Sequence, residues 1–154
     1  MENQIGPKKS LIPQLEDLLD LYLVKKAPFQ LPPGVKQFIV NVGPWITLVL
    51  MILLAPIILA AIGFSAFFLP AAAVTNAGIG VSVMISLVVA IVELGFYALA
   101  LPGLFKKSKT GWNFLFYATL ISAVYSLVSM DILSLIVGTL ISLYILFQIR
   151  SYYK

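Results

Sequence analysis

The sequence predicts an all-α integral membrane protein: a four-helix bundle of two in-out-in hairpins, preceded by an N-terminal amphipathic interfacial helix. Three observations predict it. The 154 residues are 61% hydrophobic and only 10% charged, against about 45–50% apolar and about 25% charged in an average soluble domain. Polar surface is therefore too scarce to coat a globule in water. Residues 37–92 contain no Asp, Glu, Lys or Arg, well over twice the roughly 20 residues that cross a bilayer. When the chain is threaded four times, all ten Lys and Arg fall on one side and the two opposite turns hold none, which is the positive-inside pattern. Both termini are then expected in the cytoplasm, with the protein multi-pass in the cell's inner (cytoplasmic) membrane.

Residues 1–36 form a cytoplasmic segment apart from the 37–154 transmembrane domain. They carry Lys8, Lys9, Lys25, Lys26 and Lys36 with Glu2, Glu16, Asp17 and Asp20, and they lack the layout of a cleaved signal peptide. Leu11, Leu15, Leu18, Leu19 and Tyr22 recur at helical spacing opposite Glu16, Asp17 and Asp20, so a helix capped by Ser10 is expected to about Lys26. Pro13 falls in its first turn, where proline is tolerated. This helix either lies in the interface or on its own bundle, or it docks a partner protein. Ala27 to Gly34 (APFQLPPG) contains three prolines and reads as an extended connector.

The first span is expected at about 44–69. Gly43 and Pro44 read as its start, Trp45 as a headgroup anchor, Pro56 as a kink and Pro70 as its end. Thr75, Asn76, Gly78 and Gly80 supply turn chemistry before the second span, about 80–101, closed by Pro102 and Gly103. The third runs at about 112–128 behind a second anchor, Trp112, and the fourth at about 132–149 after a tight turn holding Asp131. Asp131 reads as the cap of that fourth helix.

Missing residue types prune the chemistry. The chain has no His and no Cys, which removes Ser-His-Asp and Cys-His nucleophile pairs, HExxH zinc helices, thiolate metal sites and disulfides. No catalytic residues, metal or cofactor are expected, and the protein is read as a non-enzyme. No basic face interleaved with aromatics points to nucleic acid, so the expected partners are the lipid bilayer and either a second copy of the chain or an unidentified membrane or cytoplasmic protein.

Glu93 is the most informative residue. It sits eight residues before Leu101, about 12 Å from that helix end, close to the middle of the membrane. An ionised group there costs at least about 2.5–3.5 kcal/mol when it faces lipid. Ser82, Ser86, Ala90, Glu93 and Tyr97 share an arc of about 80°, matched by Ser122 and Ser126 on the third span. Glu93, Ser86, Tyr97, Ser122 and Ser126 are therefore the candidate proton or ion site. Ser82, Ala90, Ser134, Gly138 and Ser142 form small-residue stripes that read as helix packing. Packing alone also explains the whole pattern, with a neutral Glu93 bonded to a facing hydroxyl.

The segments LIPQLEDLLDLYLVKKAPFQLPPGVKQFIV, PGLFKKSKTGWNFLFY and LYILFQIRSYYK resemble those of small uncharacterised four-span membrane proteins of reduced-genome bacteria. That resemblance implies four spans and a cytoplasmic amphipathic segment, and it carries no activity. Two functions stay open: a small accessory or scaffold subunit with a docking helix, and a small oligomeric proton- or cation-linked transporter or channel using Glu93.

Overall fold

The computed structural model describes residues 10–75 and 77–154, and within them every regular element is helical. Helix α1, Leu11–Asp20, continues as a π-helical turn, Leu21–Lys25. Then come α2, Pro33–Thr75, α3, Ala77–Phe105, and α4, Lys109–Val128. A π-helical stretch, Ser134–Leu140, leads into α5, Ile141–Gln148, and a short 3₁₀ turn, Arg150–Tyr152, follows. Three stretches are long and apolar enough to cross a membrane: Pro33–Phe68, Gly78–Phe105 and Lys109–Val128. The apolar helix Ser134–Gln148 is shorter.

The helix limits depart from expectation wherever a proline in the sequence reads as punctuation. Helix α2 begins at Pro33, not at Gly43, with the Pro32 carbonyl accepting from the amides of Val35 and Lys36 at 3.0 and 3.1 Å. Pro44, Pro56 and Pro70 all lie inside it, and Pro102 lies inside α3. In water an interior proline costs about 3 kcal/mol or more. In lipid an unpaired backbone group has no water to turn to, so the helix carries on past its proline. The turn expected around Thr75 to Gly80 is correspondingly short, with α2 reaching Thr75 and α3 starting at Ala77; Asn76 lies outside the described residues. At 1.5 Å per residue α2 is about 64 Å long, twice the hydrocarbon thickness.

Helix α3 packs on both α2 and α4, and α5 packs on α4 and on the π turn that follows α1. The buried core is gathered at one end. Val40 of α2, Ala100 and Leu104 of α3, Trp112 and Phe116 of α4, and Leu146, Phe147 and Tyr153 meet there. The α3–α4 turn and the C-terminal residues are stitched by backbone bonds, Lys109 amide to Lys154 carbonyl at 2.9 Å and Lys154 amide to Lys107 carbonyl at 3.1 Å. Lys107 takes a positive φ of 53° in that turn, and its Nζ donates to Asn41 Oδ1 of α2 at 2.8 Å. We call this the basic end.

Trp112, expected as a headgroup anchor, is fully buried inside the protein. Its indole N–H donates to the Leu146 carbonyl at 2.8 Å; its ring stacks on Phe116 and meets Phe147 edge-on. Trp45 is 60% exposed, with its ring edge-to-face on Phe105 at 5.2 Å.

Helix α1 docks at the same end by an unexpected face. Ser10 occupies its N-cap position without a side-chain cap bond. Leu11, Leu15, Leu18 and Tyr22 are exposed, whereas Leu19, Leu23 and Val24 pack on the core. The acidic side turns inward: Arg150 Nη2 lies 2.7 Å from Glu16 Oε2, and Nη1 lies 3.7 Å from Asp20 Oδ1. The same guanidinium lies over the Trp112 ring, 5.1 Å from its centroid. Gln148 donates to the Leu23 carbonyl at 3.0 Å, and the Tyr144 hydroxyl donates to the Phe29 carbonyl in the connector.

Because Arg150 is three-quarters buried among these partners, its loss strands two carboxylates beside an apolar core. Arg150→Ala should release α1 at a cost of about 1–3 kcal/mol. Trypsin should then cut after Lys25 and Lys26 faster than in the wild type, and an unchanged cutting rate would show that the ion pairs do not hold the helix.

Candidate functional site

Helix α3 aligns its hydroxyls by bonding them back along its own backbone. Ser82 Oγ donates to the Gly78 carbonyl at 3.0 Å and Ser86 Oγ to the Ser82 carbonyl at 2.8 Å. Such bonds satisfy the donor locally and leave oxygen lone pairs pointing outward. Ser86 also meets the Tyr125 hydroxyl of α4 at 2.6 Å, which ties the two helices together one to two turns from Glu93.

Glu93 is half-buried on the same face, with the Ser122 hydroxyl of α4 as its neighbour. A cavity of about 260 Å³ opens between these helices. Ser86, Glu93, Ser122, Tyr125 and Ser126 line it, and Asp131 and Ser134 line it from the next turn. Four of the five expected site residues are thus brought together.

The fifth, Tyr97, is not in this cavity. It lies one helical turn nearer the basic end and lines a second cavity, of about 380 Å³, together with Thr47, Thr119, Ser142 and Tyr153. Thr47 and Thr119 donate to their own helices, to the carbonyls of Gly43 and Leu115, each at 2.9 Å. The remaining walls of this cavity are mostly aliphatic.

Asp131 is the helix cap it was expected to be. Its Oδ1 accepts from the Ser134 amide at 3.0 Å and its Oδ2 from the Ser134 hydroxyl at 2.7 Å. The Ser134 hydroxyl, then its amide, hold the Asp131 carboxyl below the usual carboxylate range. It therefore stays ionised beside the cavity down to lower pH than a free Asp.

The expected packing stripes fare unevenly. Ala90 and Ser134 line the first cavity and Ser142 the second, while Ser82 is exposed. Gly138 makes no close approach: a Cβ built there would meet nothing within 4 Å. The tight glycine contact lies elsewhere, between Gly103 and Gly111, where a Cβ on either would fall 2.5 Å from backbone atoms on the other helix. Gly103, expected to close α3, instead permits α3 and α4 to touch.

Sequence reasoning missed Tyr125 as a cavity residue, although its place three residues after Ser122 was a legible signal. It also missed Thr47, which falls three residues past the proline taken as a helix start.

Chemically, the first cavity offers carboxylate and hydroxyl oxygens and no Lys or Arg among its lining residues. Such a donor set suits a proton, a hydrated proton or a hard cation and disfavours an anion. Among the described residues no three His, Cys, Asp or Glu side chains gather to hold a metal ion. No protein-family model, curated protein or solved structure matches the chain.

Proposed function

We propose that this chain is a non-enzymatic integral membrane protein that takes protons or small cations into the Glu93 cavity. Its four apolar helices cross the bilayer as two hairpins, the basic end lies in the cytoplasm, and the cavity faces the opposite side. The observation that carries this reading is Glu93 itself, a carboxyl near mid-span beside a hydroxyl-lined cavity that reaches the ionised Asp131. A carboxyl meant only to join two helices needs one facing hydroxyl, which Ser122 supplies; it does not need a cavity. Few buried core residues lie away from the basic end, so lipid or further copies of the chain complete the helices there.

A second reading, an accessory subunit that docks through α1, is favoured by the exposed Leu11, Leu15, Leu18 and Tyr22. Its polar face is already engaged by Arg150, so any such docking uses the leucine face alone.

Infrared difference spectroscopy in lipid tests the first reading directly. The protonated carboxyl stretch of Glu93, assigned by its loss in Glu93→Gln, should change between about pH 5 and about pH 9. A cation that binds the carboxylate competes with the proton, so added Na⁺ or K⁺ should shrink the band if cations enter. A Glu93 band indifferent to pH and to both ions would make Glu93 a packing residue.

A further inference from the structure

The two cavities lie on successive turns of one helix face. Glu93 lines the outer, Tyr97 the inner, and residues four apart on a helix are neighbours, with Cβ atoms about 5–6 Å apart. The inner cavity extends from this point to Leu104, Ile149 and Tyr153, residues of the core at the basic end. We propose that the ion handled is the proton and that it crosses the protein, with Tyr97 as the relay between the outer and inner cavities. This rests on the reading of Glu93 as an exchanging site, and it adds the substrate and the second half of the path.

The inner cavity favours the proton. A metal cation that gives up its water needs about six oxygen ligands, with carboxylates among the usual donors. The inner wall has no carboxylate, only the hydroxyls of Thr47, Tyr97, Thr119, Ser142 and Tyr153 spread among aliphatic side chains. A metal cation would therefore meet no charged ligand on the inner wall, whereas hydroxyls and waters can pass a proton from oxygen to oxygen. Thr47 and Thr119 keep their donors on their own helices, so their lone pairs are free to orient such waters.

The Glu93 carboxylic acid gives its proton to the Tyr97 phenol oxygen while the phenol passes its own proton to water in the inner cavity. That leaves a carboxylate, a neutral tyrosine and a hydronium ion on the inner side. A hydronium ion arriving in the outer cavity then reprotonates Glu93 and becomes water, so one proton is taken up outside and one released inside. The titratable groups facing Glu93 are Tyr97 from α3, Tyr125 from α4 and Asp131 from the turn beyond. No Lys or Arg lines either cavity, so no fixed positive charge opposes the proton.

The test uses the full-length protein in vesicles that enclose a pH-sensitive dye, with a potassium diffusion potential drawing protons inward. Wild-type vesicles should acidify faster than protein-free ones, at the same rate when external Na⁺ is replaced by choline. Tyr97→Phe keeps the ring and removes the relay oxygen, and should slow acidification at least about tenfold while the Glu93 infrared band still responds to pH. Thr119→Val, on the inner wall only, should slow it as well.

Acidification by Tyr97→Phe at the wild-type rate, or a flux that requires Na⁺, would overturn the relay. Wild-type vesicles no faster than empty ones, with a responsive Glu93 band, would remove the crossing and leave the outer site standing. A silent band would remove both.

Discussion

Trp112→Ala is expected to destabilise the protein by about 3–5 kcal/mol, read as a fall in the melting point of the detergent-solubilised protein. The ring is fully buried, stacked on Phe116 at 5.4 Å and edge-on to Phe147 at 5.3 Å. Arg150 lies over it, 5.1 Å from the centroid, so its removal also loosens the residue that holds α1. Trp112→Phe separates the contributions. It keeps aromatic bulk but leaves the Leu146 carbonyl without its indole donor, and should cost about 1–3 kcal/mol. A Trp112→Ala protein that melts with the wild type would mean that the aromatic cluster does not hold the basic end together.

Gly111→Ala should have a comparable effect by the opposite route. Its Cβ would stand 2.5 Å from the Gly103 carbonyl carbon and the Leu104 amide nitrogen, and backbone cannot step aside as a flexible side chain can. The helices must part, with a cost of about 1–3 kcal/mol or more. Gly103→Ala should do the same, and the double variant should cost less than the sum, because the first methyl already opens the gap. Gly138→Ala is the control. It meets open space and should be neutral or raise stability, by up to about 1 kcal/mol, because Ala is the better helix former. Thermal melts of the four variants rank them; Gly111→Ala equal to wild type would exclude the close approach.

The contrast between these glycines shows what was legible. Spacing located small residues on helix faces but cannot say which face meets a neighbour, so Gly138 looked like a packing glycine and Gly103 like a stop. Apolar length and the charge-free stretch made the helices themselves readable. Their ends were not, because Pro44, Pro70 and Pro102 were weighed by the rules of water. The 100° repeat correctly grouped Ser86 with Glu93 and Ser122 with Ser126, since faces within one helix are a local property. Tyr97 fell into a different cavity because the shape of the interface between helices is not local. The Arg150 pairs with Glu16 and Asp20 were likewise beyond reach, since nothing in an acidic helix face announces a cation more than a hundred residues later.

The one-sided core has a consequence for how the molecule breathes. Helices tied by Trp112, Phe147 and Tyr153 at one end and left with few buried side chains at the other behave as cantilevers, whose free tips open at a lower free energy than their roots. Amides near Ser82 and Met130 should exchange with deuterium before those near Leu104 and Phe116. Such fraying lets water reach Glu93 from the loose side more often than the clamped core opens around the inner cavity, so the two sides of the site exchange water at different rates.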